Sequence, residues 1–487
     1  MNNKPRINRD SWQYLFAPAT VAVIGASNTA GSWGNNAMRG LVTSKEIRIY
    51  PVNPNSPDVV GVKAYRSVVD IPDTVDLAVI VVAEKLVPVV MRECVTKGVK
   101  TAIIITSGFG EMGEEGRKLE AEVAAIARQG GIHFIGPNSM GHADTRSQLS
   151  TFGQFGEMPR GQVAVLAQSG STCLKIVRSL GDSGIALSKY ISTGNEADLT
   201  MEDYLEYLAD DDDTKIIAAY IEGLRDGRRF FNLAKKITPH KPIVVVKVGG
   251  TEESARAVMS HTGALAGADA VYTAAFKQSG VIRVEDDDEL CDVVYALLNS
   301  PLPRNNRVGI LSIGGGPGAL AAEACEKGGL VIGKLEPATI TRLDGLLSSR
   351  WPRRNPVDMA GPSAAEISVV SSLLSVMMED KNLDFIFLLA PIIMDKTLLA
   401  GRLGLNPEAV KAYREKEEKN MALIRDKVEE YQKPVVLMWQ LRGYSDPETT
   451  SLLRKGRFVV CTNTRRAARV LRYLVWYRQY LDSVTRK

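Results

Sequence analysis

The chain has 487 residues, of which 45% are hydrophobic and 24% charged, with a formal net charge of +4. This length exceeds what one hydrophobic core supports, so about three domains are expected. The weak positive charge is compatible with an anionic small ligand but does not argue for nucleic acid. No apolar run approaches the roughly 18 residues of a membrane span, and the start of the chain lacks the apolar segment of a signal peptide.

The cysteines also bear on the compartment. They are scattered without CxxC spacing, at Cys94, Cys173, Cys291, Cys325 and Cys461. An odd number without a framework indicates reduced thiols, so we expect a cytoplasmic protein without a zinc site.

Residues 10–150 alternate short β-branched runs with helical patterns, which predicts a parallel, doubly wound sheet. The predicted strands are 20–24, 47–50, 77–82, 101–105 and 133–135, and the predicted helices include 86–97 and 116–129.

The turn after the first strand, residues 25–34, is rich in glycine and precedes a helix expected to begin near Asn35. Free N–H groups and the helix dipole at such a turn favour a pyrophosphate. The GxGxxG order is absent, and the second strand runs into residues 51–54 (PVNP) without the acid that holds a ribose hydroxyl. We therefore predict a nucleotide site that does not resemble an NAD site, with a ligand-free turn as the alternative. Loops 106–111 and 136–139 also follow strands and are expected to share this crevice.

A second α/β unit is predicted over residues 160–300, with strands at 163–167, 216–221 and 243–248. Ser169 and its neighbours open a helix after the first of these strands, where free N–H groups favour an anion. Glu222 follows the second strand directly. The third strand leads to the octapeptide 260–267 (SHTGALAG), which reads as a loop of small residues around His261. An ordinary N-cap, a surface carboxylate and a structural histidine are the respective alternatives.

These strand ends are expected to bring an imidazole, a carboxylate and helix-start N–H groups together. A neutral imidazole accepts a phosphoryl group, whose charge then needs N–H donors. A carboxylate on the other ring nitrogen sets the tautomer. The acidic run 210–213 is interpreted as a solvated helix end rather than a metal site.

A third unit is predicted over residues 303–487. Its strand 308–313 is followed by Gly314-Gly315-Gly316-Pro317-Gly318, which offers another helix-start anion site or a purely structural turn. Later strands are predicted at 385–390 and 434–438. Residues 464–487 read as an amphipathic terminal helix, with nucleic-acid binding as the alternative. Residues 328–334 (GGLVIGK) mimic a Walker A motif but lack its Ser/Thr.

The chain carries an ordered set of motifs: the glycine loop, PVNP, SGFGE, GPNSMG, QSGS, GNEADL, YIEG and SHTGALAG. This set resembles the α subunit of NDP-forming acyl-CoA synthetases. These are relatives of succinyl-CoA synthetase, in the acetate–CoA ligase (ADP-forming) group. The resemblance covers essentially the whole chain. It implies a Rossmann-like domain that binds coenzyme A, followed by two flavodoxin-like ligase domains.

The resemblance also implies roles for individual residues. His261 corresponds to the phosphorylated histidine and Glu222 to the glutamate that orients it. Phosphate-binding positions fall on Ser169, Gly170, Ser171 and, in the third unit, Gly315, Gly316 and Gly318. Coenzyme A positions fall on Gly25, Ser27 and Gly34 (phosphates), Asn53, Pro54, Val82 and Ala83 (adenosine), and Ser107, Gly108, Phe109 and Asn138 (the arm).

The implied reaction interconverts acyl-CoA, NDP and phosphate with carboxylate, CoA and NTP. No ATP-grasp domain is recognisable, so ADP or ATP with Mg²⁺ is expected on a separate ATP-grasp β subunit, in a hetero-oligomer with an α–α contact. Two departures from the family pattern are Ser139, where Cys is usual, and Asn55, where Lys is common. A non-catalytic CoA-binding regulator and a nicotinamide oxidoreductase are the alternatives.

Overall fold

The computed structural model describes residues 7–44, 46–153, 158–262, 268–359, 367–390, 392–393, 396–401, 404–438, 453 and 458–486. Of residues 259–262, 367 and 396–398 only the backbone is described. The chain divides into two compact units, Met1–Leu290 and Cys291–Lys487.

The first sheet of the first unit is parallel, with strand order β2-β1-β5-β6-β7. Its apolar strands are buried, as in β1, because helices cover both faces of a parallel sheet. A small hairpin of β3 and β4 stands beside it. The elements are α1 (Arg9–Phe16), β1 (Thr20–Ile24), α2 (Trp33–Leu41), β2 (Arg48–Val52), β3 (Asp58–Val59), β4 (Val62–Lys63), β5 (Leu77–Ile80), α3 (Val87–Lys97), β6 (Thr101–Ile104), α4 (Glu114–Gln129) and β7 (His133–Ile135).

The second sheet of this unit has the order β14-β13-β12-β10-β11-β8-β9. Its five parallel strands, β10 to β14, follow the 2-1-3-4-5 order of flavodoxin-like folds. The elements are β8 (His142–Asp144), β9 (Leu149–Ser150), β10 (Val163–Ala167), α5 (Gly170–Asp182), β11 (Leu187–Ser192), α6 (Met201–Ala209), β12 (Ile216–Ile221), α7 (Gly227–Ile237), β13 (Ile243–Lys247), α8 (Glu252–Thr262), α9 (Asp269–Ser279) and β14 (Ile282–Val284). Helix α10 (Asp287–Asn299) begins in this unit and ends in the next.

The second unit contains a third parallel sheet, with order β16-β15-β18-β19-β20 and β17 beside β15. The elements are β15 (Arg307–Ser312), α11 (Gly315–Lys327), β16 (Val331–Ile332), α12 (Pro337–Asp344), β17 (Val357–Asp358), α13 (Ile367–Glu379), β18 (Phe385–Leu389), α14 (Lys396–Gly401), α15 (Pro407–Tyr431), β19 (Val435–Met438), β20 (Val459–Cys461) and α16 (Thr464–Thr485). The predicted α/β class, one Rossmann-like domain followed by two flavodoxin-like domains, is confirmed.

The predicted domain limits, 10–150, 160–300 and 303–487, stay predictions. The short strands β8 and β9 lie within the predicted first domain, up to residue 150, but pair within the second sheet, where β8 runs antiparallel to β11. The first two sheets thus share one compact unit, and their loops meet at several points.

Two expectations are wrong in part. Residues 260–262 are not loop: helix α8 continues to Thr262, because helix-forming residues run on from Glu252. Residues 263–267 lie outside the described residues. In the acidic run, Asp211 is not a solvated helix end, since its carboxylate lies 3.0 Å from the Nζ of Lys189, a buried strand residue that also pairs with Asp144 at 3.1 Å.

Candidate active site

The carboxyl ends of β10, β11, β12 and β13 meet at one edge of the second sheet, and the first three of these strands are followed directly by polar residues. The loop after β10 carries Gln168 and Ser169, and the loop after β12 carries Glu222. In open α/β sheets this edge is where ligands bind. The structure therefore brings the predicted phosphate loop and the predicted glutamate to the same edge.

Helix α5 begins as the sequence predicts. Ser169 is its N-cap, and the Ser169 hydroxyl accepts a hydrogen bond from the N–H of Thr172. A Cβ on Gly170 would lie 2.3 Å from the Cγ of Met140, so any larger residue would require the Met140 side chain to move. Ser171 is exposed. The first turn of α5 contains no acidic residue, so the N–H groups that Ser169 does not cap favour an anion.

Glu222 is buried (4% exposed), and its backbone is held from both sides. Its N–H donates to the Oε1 of Gln168 over 2.5 Å, and the N–H of Gly223 donates to the same oxygen over 3.0 Å. On the other side, the Nζ of Lys247 donates to the Glu222 carbonyl over 2.9 Å. The backbone at this glutamate is therefore fixed by side chains from two neighbouring strands.

Lys247 ends strand β13 and is itself buried. Its Nζ also donates to the carbonyl of Val248 and lies 4.5 Å from the ring centroid of Tyr272. Burial, assisted by the charge of Arg283, lowers the pKa of this lysine. The ammonium group thus replaces lost hydration with two carbonyls and an aromatic face.

Glu196 adds a second buried carboxyl group to this edge. Its Oε1 accepts hydrogen bonds from the Nε2 of Gln168 (3.0 Å) and the hydroxyl of Thr193 (2.9 Å). Burial, and then the negative charge of Glu202, raise the pKa of Glu196 to about 8. The carboxyl group is consequently protonated at neutral pH.

His261 is the penultimate residue of α8, the helix that follows β13, and its side chain lies outside the described residues. The other three of the four histidines have the following surroundings. His142 is fully buried and lies 2.6 Å from the Leu15 carbonyl through Nε2, and burial lowers its pKa to about 4. His133 lies 3.0 Å from Asp198. His240 is exposed in the turn before β13, at the opposite edge of the sheet.

In the first sheet, the glycine loop after β1 is closely packed. Gly25 has φ +90, and a Cβ there would lie 2.1 Å from the carbonyl oxygen of Val81. A Cβ on Gly34 would lie 2.1 Å from the carbonyl oxygen of Gly25. Gly25 is thus required by the close approach of the backbone after β5, and Gly34 by the approach of α2 to the glycine loop. The Ser27 hydroxyl accepts the N–H of Thr29, which tightens the loop above this helix start.

The predicted adenosine positions follow neighbouring strands of the first sheet. Asn53 has a structural role, because its Nδ2 donates to the Ala26 carbonyl over 2.8 Å and ties the second strand to the glycine loop. Pro54 and Ala83 are exposed and Val82 is half-buried. These three side chains leave surface for a ligand at the carboxyl ends of β2 and β5.

The predicted arm positions divide into two kinds. Ser107 is exposed, and Asn138 is half-buried with φ +58. The N–H groups of Gly108 and Phe109 donate to the Oε1 of Glu111 over 2.6 and 3.2 Å. The Phe109 side chain is fully buried in the core of the first sheet, so the structure does not support a ligand contact of this ring.

Ser139, one of the two departures from the family pattern, has a structural role. Its buried hydroxyl donates to the Ser192 carbonyl over 2.6 Å and accepts the N–H of Gly141 over 2.8 Å. Asn55, the other departure, donates its N–H to the Oδ1 of Asn53. Among the described residues, neither side chain forms a hydrogen bond with Gln168, Glu222 or Lys247.

The glycines of the second unit begin helix α11, as predicted. Gly314 has φ +93 and donates its N–H to Asp358 over 2.9 Å. A Cβ on Gly318 would lie 2.7 Å from the Ser312 hydroxyl, which explains this glycine by packing. Gly315 lies near Asp358, whereas Gly316 faces open space. Of the three predicted phosphate positions, Gly315 and Gly316 are exposed and Gly318 is buried.

Sequence reasoning missed the contributions of Gln168, Glu196 and Lys247. Gln168 directly follows β10 and Lys247 ends β13, which was the available signal for these two; Glu196 lies in the loop after β11, a strand that the sequence did not predict. Their roles depend on hydrogen bonds between loops that follow different strands, and these bonds leave no periodic pattern.

Two family models match this chain. Residues 19–144 match a CoA binding domain, and residues 160–297 match a succinyl-CoA ligase like flavodoxin domain. Together with the glycine loop and the polar strand ends, these matches define the class: a CoA ligase of the α/β type.

The relatives narrow the class. The chain is 44% identical over 374 residues to the α subunit of ADP-forming acetate–CoA ligase II of Pyrococcus furiosus, covering 77% of this chain and 81% of that one. It is 40% identical to the ADP-forming acetate–CoA ligase I of Archaeoglobus fulgidus, over 81% of this chain but 57% of that one. The chain thus spans little more than half of that longer relative. It belongs to the ADP-forming acetate–CoA ligase family.

A solved structure agrees over nearly the whole chain. It is the dinucleotide forming acetyl-coenzyme A synthetase 1 of Ca. Korarchaeum cryptofilum in complex with phosphate and ADP, with a TM-score of 0.81 and 28% identity. The match covers 97% of this chain and 98% of that one. Among the helices of the described residues, none has the length and hydropathy needed to cross a membrane.

Proposed function

We propose that this chain is the catalytic α subunit of an ADP-forming acyl-CoA ligase that carries a phosphoryl group on His261. In the proposed sequence, phosphate attacks the thioester carbonyl, the C–S bond breaks and CoA leaves as the thiol. An imidazole nitrogen of His261 then attacks phosphorus, and the bond to the acyl oxygen breaks to release the carboxylate. The N–P bond finally breaks as ADP accepts the phosphoryl group and becomes ATP.

The observation that carries this proposal is the convergence of Glu222 and the start of α5 at the edge from which α8 departs. Glu222 is buried and its backbone is held by Gln168 and Lys247, so its carboxylate is presented from a fixed point. The α5 start supplies N–H donors for a phosphoryl group beside it. We propose that Glu222 orients the imidazole of His261 and that Ser169, Gly170 and Ser171 hold phosphate.

We further propose that coenzyme A binds at the carboxyl edge of the first sheet. The residues there fit the ligand: the first turn of α2 is free of acidic residues, and Gly31 has φ +81 with open space around it. Gly25, Ser27 and Gly34 would surround the phosphates, and Asn53, Pro54, Val82 and Ala83 the adenosine. Ser107, Gly108 and Asn138 would lie along the arm, with Phe109 supporting them from the core.

The nucleotide completes the proposal. We propose that ADP or ATP binds with Mg²⁺ on a separate ATP-grasp β subunit, and that the start of α11, with Gly315, Gly316 and Gly318, serves the phosphoryl group at that station. The relatives support this division of labour, since the Pyrococcus furiosus protein is an α subunit by name, whereas the Archaeoglobus fulgidus protein is longer.

The test is acid-labile labelling of the chain by radioactive ATP with Mg²⁺, in the complex reconstituted with its ATP-grasp partner. His261→Asn is expected to abolish the label, and Glu222→Gln to slow its formation. His240→Asn is the matched control, because His240 is exposed at the opposite edge of the sheet, and it should label normally. Label that persists in His261→Asn would refute the proposed carrier.

A further inference from the structure

The loop after β11, residues 193–197, touches loops of both sheets in the first unit; we call it the bridge loop. Gly194 has φ +62, and a Cβ there would lie 2.3 Å from the Pro137 carbonyl oxygen. The N–H groups of Asn195 and Ala197 donate to the carbonyls of Pro137 and Gly136 over 2.9 and 3.0 Å. The bridge loop is therefore docked by its backbone onto the loop that follows β7.

On one side, Asn195 holds residues 107–111, which we call the arm loop. Its Nδ2 donates to Glu111 over 2.6 Å and to Glu120 over 2.9 Å. Glu111 in turn accepts the N–H groups of Gly108 and Phe109. Burial opposes ionisation of Glu111, but the hydrogen bonds from Asn195 and Gly108 outweigh it and lower its pKa. The conformation of the arm loop thus depends on Asn195.

On the other side, Glu196 holds Gln168. An amide side chain fits its site in two orientations that exchange donor and acceptor. Because Glu196 Oε1 and the Gly223 carbonyl both accept from Gln168 Nε2, Oε1 of Gln168 must face the N–H groups of Glu222 and Gly223. Glu196 and the Gly223 carbonyl together therefore set the orientation in which Gln168 holds the Glu222 backbone.

The backbone and the side chain of Glu196 are both in unusual environments for a glutamate. Its φ of +56 is uncommon for a residue with a side chain, and its carboxyl group is buried at 4% exposure. The raised pKa described above keeps it protonated at neutral pH, so glutamine is its closest substitute.

We propose that Asn195 and Glu196 are positioning residues that link the arm loop to Glu222, so that the coenzyme A site and the phosphoryl-transfer site are held in register through one dipeptide. This inference rests on the proposed function for its chemical meaning. The physical link itself is independent of that function, because every bond in it lies within the described part of the first unit.

The test is amide hydrogen exchange of the full-length chain, with and without coenzyme A. Glu196→Met removes the acceptor for Gln168 at similar volume, and exchange of peptides covering Glu222 and Gly223 should accelerate roughly tenfold, the effect of losing about one hydrogen bond. Glu196→Gln should stay within about twofold of wild type. Peptides from β10 report global destabilisation and should not change.

Coenzyme A should slow exchange at Glu222 and Gly223 in the wild type, and Asn195→Ala should abolish this effect of the ligand. In the reconstituted complex, Glu196→Met should slow phosphohistidine formation while leaving the affinity for coenzyme A unchanged. If Glu196→Met does not fold, Gln168→Met carries the same expectations.

Unchanged exchange at Glu222 and Gly223 in these variants would overturn the link, as would equal acceleration in Glu196→Gln. If wild type binds coenzyme A but never becomes labelled, the proposed function fails while the exchange data still decide the link.

Discussion

Replacing Glu196 by glutamine should make the stability of the first unit less dependent on pH. The side chain ionises near pH 4.5 in the unfolded chain, but its folded pKa is raised to about 8 by burial and by Glu202. Between these values the folded state binds more protons than the unfolded state. The free energy of unfolding of the wild type therefore falls as pH rises.

The magnitude follows from the size of the shift. Each pH unit in this window changes the free energy of unfolding by about 1.4 kcal/mol, so the whole window amounts to roughly 5 kcal/mol. Glutamine keeps an acceptor for Gln168 and has no proton to lose. Relative to wild type, Glu196→Gln should gain about 3 kcal/mol between pH 5 and pH 7.5.

Scanning calorimetry of both proteins across this range provides the assay, with roughly 2–4 °C expected per kcal/mol. Glu114→Gln is the control, because it makes the same substitution at a side chain that is 76% exposed. Infrared spectra should show a protonated carboxyl band that is lost above about pH 8 in wild type and absent from Glu196→Gln. A stability difference that does not vary with pH would refute the assignment of a buried, protonated Glu196.

Three further substitutions test the packing around the site. Lys189→Met should lower the free energy of unfolding, measured by urea titration, by about 3–5 kcal/mol, because Asp144 and Asp211 lose their cationic partner. Neutralising Lys189 and both aspartates together should restore most of the loss. Lys247→Met should cost about 1–3 kcal/mol, since two carbonyls lose their donor, and a loss below 0.5 kcal/mol in the same titration would contradict the grip on the backbone. Gly194→Ala should lower the free energy of unfolding by roughly 3 kcal/mol. Gly61→Ala, also at positive φ but in open space, should lower it by about 1 kcal/mol. Equal losses would argue against the close contact between the bridge loop and the Pro137 carbonyl.

The sequence predicts strands best where both faces are apolar. The bounds of β1, β7, β10 and β12 agree with the prediction, because β-branched runs such as TVAVI suit a fully buried parallel strand. Strand β11 was missed because Lys189 interrupts its apolar pattern, and only the folded chain shows that this lysine is buried between two aspartates. Helix α15 was missed because charged residues dominate its 25 positions.

The residues of the candidate site also separate into those that the sequence predicted and those that it did not. Glu222 and Ser169 were predicted because position at a strand end is a local property of the sequence. Gln168, Glu196 and Lys247 acquire their roles only when four strand ends assemble into one edge. A hydrogen bond such as that between Gln168 and Glu196, 28 residues apart, has no signature in either segment alone.

The arrangement around Glu222 also determines which part of the proposed site is free to move. Its N–H is bonded to Gln168 and its carbonyl to Lys247, while Gly223 is bonded to Gln168 at both its N–H and its carbonyl. A shift of this backbone would break several buried hydrogen bonds at once, at roughly 1–3 kcal/mol for each group left unsatisfied. The glutamate is thus a fixed reference point. If the phosphoryl group is transferred between two stations, we therefore do not expect the backbone at Glu222 to be the part that is displaced.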